Sequence, residues 1–150
     1  MLIYIGADHR GFKLKESLKS YLKANGYEAV DVGNLGYDEN DDYPDFAFIA
    51  ARKVSLDPDN SCAILICGSG VGMDVAANKF NNVRSALVLN PDQALASRKD
   101  DNSNALSLAA DFVSEEDAVK IVFTWLQTSF SGEERHMRRL EKIRQLEINK

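Results

Sequence analysis

The chain has 150 residues, of which 45% are hydrophobic and 27% charged, and its formal net charge is −5. These values are typical of one soluble globular domain. The negative charge disfavours general binding to nucleic acids or membrane surfaces, since both are anionic, and no apolar run reaches the ~20 residues that cross a bilayer. The N-terminal segment MLIYIGAD lacks a basic region and a cleavage site. It therefore predicts a first strand in a cytoplasmic protein, not a signal peptide.

Short segments rich in Ile, Val and Leu alternate with amphipathic segments along the whole chain. Several of the apolar segments are continuously hydrophobic, which is typical of strands that are covered on both faces. The predicted strands are Leu2 to Gly6, Glu28 to Val32, Ala63 to Cys67, Ser85 to Leu89 and Ala105 to Leu108.

The amphipathic segments predict six helices. Pro44 suits the first turn of the second helix, and Ser114 with Asp117 resembles a capping box at the start of the fifth. Gly26 and Gly132 are expected to end the first and fifth helices. The first helix carries Leu14 to Leu22, the second follows Pro44, the third runs from Val71 toward Phe80, the fourth covers about Pro91 to Lys99, the fifth follows Ser114 and the last spans Glu134 to about Leu146.

This order of elements predicts an α/β fold with an open, five-stranded parallel sheet and helices on both faces. No linker or internal repeat divides the sequence, so we expect a single domain over residues 1–150. The acidic stretch Asp38 to Asp42 is interpreted as a solvated loop before the second helix. Ligands of such sheets bind beyond the carboxyl ends of the strands. That rule selects the turns after the first and third strands and the segments after Leu89 and Leu108.

The strongest local feature is the segment ILICGSGVGM, in which a predicted buried strand ends at Cys67 and a glycine-rich turn leads into a helix. Glycines let backbone N–H groups turn toward one point, and a helix N-terminus is positively polarised. Such a turn can hold a phosphate or a developing oxyanion, and it stabilises a thiolate. Cys67 is therefore a candidate base or nucleophile. The alternative is a buried structural cysteine beside a tight turn.

The second cysteine, Cys62, lies in the same predicted strand. Five residues of strand span about 16 Å and reverse the side-chain face, so Cys62 and Cys67 cannot form a disulfide within one chain. Two reduced thiols in a cytosolic protein are expected.

Two further motifs carry candidate binding residues. The segment GADHRG puts Asp8 and His9 at the same predicted sheet edge as Cys67, where a carboxylate can orient an imidazole. The segment EERHMRR puts Arg135 and Arg139 on one helical face. Paired arginines suit phosphate, although a solvated face whose arginines pair with nearby glutamates is the alternative.

The glycine-rich turn does not match the common nucleotide loops. Gly68 and Gly70 lack the third glycine at the dinucleotide spacing, and no Gly-Lys-Ser/Thr follows. A nucleotide-binding domain therefore remains only as an alternative, which predicts thermal stabilisation by NAD or ATP.

Taken together, these segments resemble the ribose-5-phosphate isomerase B family, which includes the galactose-6-phosphate isomerase subunits. The matching segments occur in the family's order over nearly the whole chain: GADHRGFKLKE, DYPDFA, ILICGSGVGMDVAANK, VRSALV, ASRKDDNSNAL and GEERHMRRLEKI. The resemblance implies a Rossmann-like three-layer sandwich and no metal or organic cofactor. It also implies a homodimer or dimer of dimers with active sites at the subunit interface, which the C-terminal helix of about residues 134–148 helps to form.

The resemblance also implies roles for individual residues. Cys67 corresponds to the base that moves a proton between C1 and C2 of an open-chain sugar phosphate. Asp8 corresponds to a sugar-hydroxyl contact, His9 to a phosphate ligand, and Tyr43 lies where the family places an aromatic ring against the sugar. The loop that holds the enediolate oxygens corresponds to Gly68, Ser69, Gly70 and Gly72, with Ser69 counted among the catalytic residues. Arg135 and Arg139 correspond to phosphate ligands contributed by the neighbouring subunit.

Two positions depart from the family pattern. Where the family has a ring-opening histidine followed by asparagine, this chain has Asp100 and Asp101. A carboxylate can act as an acid or base, so Asp100 is expected to replace the histidine and Asp101 to contact substrate. Where the family often has a phosphate-binding arginine after the fifth strand, this chain has Asp111, which would repel phosphate if it faced the site. Arg10 is a candidate for the missing positive charge, and Arg138 is another.

The sequence therefore predicts an aldose–ketose isomerase, with ribose 5-phosphate as the expected substrate and a cis-enediolate as the intermediate. An isomerase for another sugar phosphate, such as a hexose 6-phosphate, is an alternative. A non-catalytic or regulatory protein that binds a phosphosugar is another, motivated by Asp100 and Asp111.

Overall fold

The computed structural model describes residues 1–148. These residues form five strands and six helices that alternate along the chain. The strands are β1 (Leu2–Ala7), β2 (Ala29–Asp31), β3 (Ser61–Cys67), β4 (Ser85–Leu87) and β5 (Ala105–Ala109). The helices are α1 (Phe12–Ala24), α2 (Tyr43–Leu56), α3 (Val71–Ala77), α4 (Pro91–Asp101), α5 (Glu115–Gln127) and α6 (Glu134–Ile148).

The five strands form one parallel sheet in the order β2-β1-β3-β5-β4. Every residue of β3 and β5 is buried, as the continuous apolar runs predict for strands covered on both faces. β3 is the central strand, and its last residue, Cys67, aligns with Ala109 of β5. The predicted five-stranded parallel sheet is confirmed, and Cys67 lies at the middle of its carboxyl edge.

Two apolar clusters cover the two faces of the sheet. One cluster joins β-strand side chains to α1, α4 and α5, and it includes the buried Trp125. The other joins the opposite face to α2 and α3, and it includes Cys67 and Met73. The layers are therefore helix, sheet and helix, which confirms the three-layer sandwich. The site at Cys67 lies on the face covered by α2 and α3.

Helix starts follow the capping residues that the sequence indicates. The Ser114 hydroxyl accepts the backbone N–H of Asp117 at 3.1 Å at the start of α5, and Pro44 lies in the first turn of α2. Two predicted ends are wrong. α3 ends at Ala77, not near Phe80, and α5 ends at Gln127, so Gly132 lies in the following loop and does not end that helix. α1 ends at Ala24, two residues before Gly26.

Both cysteines are free and buried, as expected from their spacing in one strand. Burial raises the pKa of the Cys62 thiol to about 12. Cys62 therefore remains a protonated, structural side chain at neutral pH, and Cys67 is left as the thiol available for chemistry.

Candidate active site

The sulfur of Cys67 is held at the carboxyl end of β3 by the turn that follows it. The backbone N–H of Gly70 donates to Cys67 Sγ, with 3.2 Å between nitrogen and sulfur. Gly70 has a φ of 75°, a left-handed conformation that glycine adopts without strain. The glycine turn therefore fixes the position of the sulfur and directs a backbone N–H donor at it.

Two glycines of this turn leave room for side chains from other elements. A methyl group at Gly68 would lie 2.6 Å from Arg10 Nε, and one at Gly72 would lie 2.7 Å from Tyr43 Cζ. A side chain at either position would force Arg10 or the Tyr43 ring to move away. The glycines therefore bring Arg10 and the Tyr43 ring against the backbone of the loop that follows Cys67.

The turn between β1 and α1 supplies Asp8. Its Oδ1 accepts the backbone N–H groups of Arg10 and Gly11, each at 3.0 Å. Burial is the largest influence on this carboxyl and raises its pKa, although the backbone hydrogen bonds and the neighbouring His9 oppose the rise. Gly11 is required here because a methyl group on it would lie 2.6 Å from the carbonyl oxygen of Ile66.

These elements enclose a cavity of about 390 Å³, a size suited to a small metabolite. Eight residues that the sequence singles out line it together, and Gly70 adjoins it through its bond to Cys67. The structure therefore brings the turns after β1 and β3 and the start of α2 to one place. The lining residues are Asp8, Arg10, Tyr43, Cys67, Gly68, Ser69, Gly72, Asp111 and Phe112.

Asp111 faces this cavity. Its carboxylate forms an ion pair with the Arg10 guanidinium, and both groups lie against Gly68. The backbone N–H of Asp111 also donates to the carbonyl of Gly68 at 3.0 Å. The negative charge that the sequence introduces at position 111 is therefore neutralised by a cation from the turn after β1. Phe112, which sequence reasoning did not select, completes this wall.

His9 lies beside the cavity and binds a residue that sequence reasoning missed. Asp41 Oδ1 accepts both the backbone N–H of His9, at 2.8 Å, and its ring Nδ1, at 2.9 Å. The Asp41 side chain is only 6% exposed. The interpretation of Asp38 to Asp42 as a solvated loop is therefore wrong at Asp41, which turns inward because a histidine from another turn binds it. No pattern in the sequence distinguishes Asp41 from its acidic neighbours.

Asp100 and Asp101 do not lie beside Cys67 within one chain. α4 starts beyond the carboxyl end of β4 and its eleven residues run back about 16 Å. They therefore end near the amino ends of the strands. There Asp100 Oδ1 is 3.8 Å from Nδ1 of the buried His136, and Asp101 lines a separate cavity of about 630 Å³. Within one chain Asp100 is therefore distant from Cys67, and its expected role in ring opening stays a prediction.

Arg135 and Arg139 are also distant from the Cys67 cavity. Both are exposed on α6, and Arg135 Nε donates to Glu133 at 2.8 Å. Within one chain this contact fits the alternative interpretation, in which these arginines lie on a solvated helical face and pair with nearby glutamates. In a single subunit, the positive groups nearest to Cys67 are therefore supplied by the turn after β1.

Among residues 1–148, no group of three or more histidine, cysteine or acidic side chains is arranged to hold a metal ion. In the same part of the chain, no helix has the length and apolar character needed to cross a bilayer.

A parallel α/β sandwich with a cysteine and glycine turn at the carboxyl edge of its central strand, beside a cavity of metabolite size, is typical of enzymes of small-molecule metabolism. The chain belongs to the ribose/galactose isomerase family, whose model matches residues 3–143. The family resemblance drawn from the sequence motifs is confirmed.

Individual relatives match over nearly their whole length. A probable ribose-5-phosphate isomerase B from Mycoplasma genitalium is 45% identical over 141 residues, covering 94% of this chain and 92% of that protein. Ribose-5-phosphate isomerase B from Mycobacterium tuberculosis is 36% identical over 147 residues, covering 98% of this chain and 90% of that protein. The crystal structure of the Mycoplasma genitalium ribose-5-phosphate isomerase B with bound ribulose-5-phosphate superposes with a TM-score of 0.96 at 43% identity, covering 99% of this chain and 97% of that one.

Proposed function

We propose that this protein is an aldose–ketose isomerase that interconverts ribose 5-phosphate and ribulose 5-phosphate. The observation that carries the proposal is the sulfur of Cys67, which accepts the Gly70 N–H at 3.2 Å and lines a cavity of about 390 Å³. The names of the relatives at 45% and 36% identity support ribose 5-phosphate as the substrate.

Cys67 is the base of the proposed reaction. Its thiolate removes the proton from C2 of the open-chain aldose, and the negative charge moves to the carbonyl oxygen at C1 of a cis-enediolate. The same sulfur then returns the proton to C1, and a proton exchanges between the two oxygens. Backbone N–H groups of the Gly68–Gly72 loop and the Ser69 hydroxyl stabilise the enediolate oxygens. No hydride moves, so this reaction requires no redox cofactor.

The other residues in and beside the cavity hold the sugar and its phosphate. Asp8 is buried and fixed by two backbone N–H groups, which suits it to bind a sugar hydroxyl. Tyr43 lies against Gly72 and presents its ring to the cavity. His9 and Arg10 provide positive charge at the turn after β1, and they bind the phosphate end of the substrate.

A second copy of the chain completes the proposed site. The location of Asp100, Arg135 and Arg139 away from the Cys67 cavity supports this, because these residues can act on substrate only from a neighbouring subunit. α6, which carries both arginines, also exposes Met137 and Leu146. Exposed apolar side chains on one helix favour burial against a partner. The proposed assembly is a homodimer or a dimer of dimers.

A cytoplasmic location is part of the same proposal. It is supported by the two unpaired cysteines, since the cytoplasm keeps thiols reduced. The C-terminal Asn149 and Lys150 of the proposed isomerase domain lie outside the described residues.

The test is isomerisation in deuterated water. Ribose 5-phosphate incubated with the purified protein is expected to give ribulose 5-phosphate, detected by NMR, and C1 of the product carries deuterium to the extent that the Cys67 S–H exchanges with solvent before the proton is returned. Binding of ribose 5-phosphate by calorimetry without any isomerisation would instead favour the non-catalytic phosphosugar-binding alternative.

An isomerase for a hexose 6-phosphate is a second candidate. Asp111 keeps this alternative open, because it stands where the family often has a phosphate-binding arginine and pairs with Arg10 in the cavity wall. A panel of pentose and hexose phosphates distinguishes the two, with Asp100→His assayed alongside. The ribose 5-phosphate assignment requires the highest kcat/KM on the pentose.

A further inference from the structure

His9 is fixed by a carboxylate from a segment distant in sequence. Both of its hydrogen bonds to Asp41, from the backbone nitrogen and from ring Nδ1, end at the same oxygen, Oδ1. Because Nδ1 points at this carboxylate, Nε2 is the ring nitrogen left to meet a ligand. The His9 side chain is 30% exposed, so the ring remains accessible.

Asp41 is itself held on its other side. Its Oδ2 accepts the Asn34 side-chain amide at 3.0 Å, and the Asn34 backbone carbonyl accepts the ammonium of Lys15. Lys15 is fully buried and also pairs with Asp31 at 2.9 Å. A continuous chain of hydrogen bonds therefore runs from a buried ion pair, through the loop between β2 and α2, to the His9 ring.

The charges around the ring favour its protonated form. The hydrogen bond to Asp41 is the largest influence and raises the pKa of His9, partial burial opposes it, and the negative charges of Asp8 and Asp41 add to the rise. Asp8 lies in the same turn as His9, and Asp41 comes from the loop packed against it. A doubly protonated ring has Nε2–H as a charged donor, which suits an anionic ligand.

We propose that Asp41 is a positioning residue for substrate binding: it orients the His9 ring so that Nε2 meets the phosphate of the sugar phosphate. The inference rests on the proposed function of the cavity. Asp41 does not touch substrate, and it acts only through His9. The buried Lys15–Asp31 pair and Asn34 keep the loop in the conformation that this requires.

The experiment compares Asp41→Asn with Glu39→Gln. Both substitutions remove one negative charge from the same loop, but Glu39 is exposed and makes no contact with His9. In Asp41→Asn the NMR titration midpoint of His9 is expected to fall toward that of an ordinary imidazole. KM for ribose 5-phosphate is expected to rise about tenfold at pH 7.5, with kcat changed less than about threefold, as for loss of one charge-assisted hydrogen bond. In Glu39→Gln the His9 titration midpoint, KM and kcat should all stay near the wild-type values.

The pH profile provides a further readout. The KM of Asp41→Asn should approach that of the wild type at acidic pH, where the His9 ring is protonated without the carboxylate. A general loss of structure would raise KM at every pH and would not produce this convergence.

The His9 titration and the affinity for inorganic phosphate require no turnover, so they test the inference separately from the isomerase activity. A lower His9 midpoint and weaker phosphate binding in Asp41→Asn support the positioning role even if no sugar is isomerised. An unchanged His9 midpoint, or a KM increase equal to that of Glu39→Gln, overturns it.

Discussion

Arg10 and Asp111 form an ion pair across the glycine that follows Cys67. A methyl group placed on Gly68 would lie 2.6 Å from both Arg10 Nε and Asp111 Oδ2, so the pair packs directly on the backbone of the turn that follows Cys67. The two residues are about 100 positions apart in the sequence, one after β1 and one after β5. Their contact makes an acidic residue compatible with a cavity proposed to bind an anion.

Arg10→Ala should expose this acidic charge to the substrate. The unpaired Asp111 carboxylate would then repel the phosphate, and we expect KM for ribose 5-phosphate to rise about tenfold or more, with a smaller effect on kcat. The double variant Arg10→Ala with Asp111→Asn lacks the repelling charge and should recover part of the loss. Equal KM values for the single and double variants would contradict this electrostatic account.

Lys15 should be a major contributor to stability although it lies outside the cavity. Its ammonium is fully buried and donates to Asp31 and to the carbonyl of Asn34, so its removal deprives two buried acceptors of a donor, although Lys19 still pairs with Asp31. Lys15→Met is expected to lower the free energy of unfolding by about 1–3 kcal/mol. Urea denaturation followed by the fluorescence of the buried Trp125 measures this change. Lys13→Met, on the exposed side of α1, is the matched control and should change stability by less than about 0.5 kcal/mol.

Asp31 should make stability depend on acid pH. Burial alone would raise its pKa, but hydrogen bonds from Lys19 and Lys15 lower it below the ordinary value of 3.8. Because the folded-state pKa is the lower one, the unfolded chain binds a proton first as pH falls. The stabilisation from Asp31 is therefore complete above about pH 4 and is lost as pH falls through the folded-state pKa.

Thermal unfolding between pH 2 and pH 6 tests this dependence. Asp31→Asn is expected to have a lower Tm near neutrality and a smaller loss of Tm on acidification than the wild type. Glu39→Gln, which alters an exposed acid elsewhere, should keep the wild-type slope. An Asp31→Asn variant with an unchanged slope would show that another carboxyl controls acid unfolding.

The sheet and much of the site are predictable from sequence because they depend on local patterns. Runs of Ile, Val and Leu specify buried parallel strands, and the carboxyl ends of such strands share one edge. That geometry is why Asp8, Cys67 and the glycine turn meet. Tyr43 joins them at the start of α2.

The remaining parts of the site depend on contacts between segments that are distant in sequence, and no local pattern specifies such contacts. Asp41 binds His9 because a buried lysine fixes the loop between β2 and α2, and neighbouring acids in that loop stay exposed. Arg10 meets Asp111 only when β1 and β5 flank β3. The position of Asp100 follows from the length and direction of α4, which return it to the opposite edge of the sheet.

Gly11→Ala should disturb the turn that carries Asp8. The added methyl group would lie 2.6 Å from the carbonyl oxygen of Ile66, a backbone atom that cannot move aside easily. We expect a loss of about 1–3 kcal/mol in the free energy of unfolding and a reduced kcat/KM. Gly36→Ala is the control, because a methyl group there has no neighbour within 4 Å. Equal stability of the two variants would show that the turn after β1 can move away from β3 at this point.

Subunit complementation tests whether sites are shared. Cys67→Ala and the double variant Arg135→Ala with Arg139→Ala should each be nearly inactive. After the two are mixed and subunit exchange is verified, a dimer of one chain of each kind has one intact site. Random pairing then predicts recovery of about one quarter of the wild-type activity. No recovery would show that each subunit carries a complete site.

Replacing the Cys67 sulfur tests the central claim most directly. The measurement is kcat/KM for ribose 5-phosphate in Cys67→Ala and Cys67→Ser, with ribose 5-phosphate affinity measured by calorimetry as the folding and binding control. If the sulfur transfers the proton, both variants should bind substrate near the wild-type affinity and lose at least about a thousandfold in kcat/KM. Turnover within about tenfold of wild type in both variants would show that another group removes the proton.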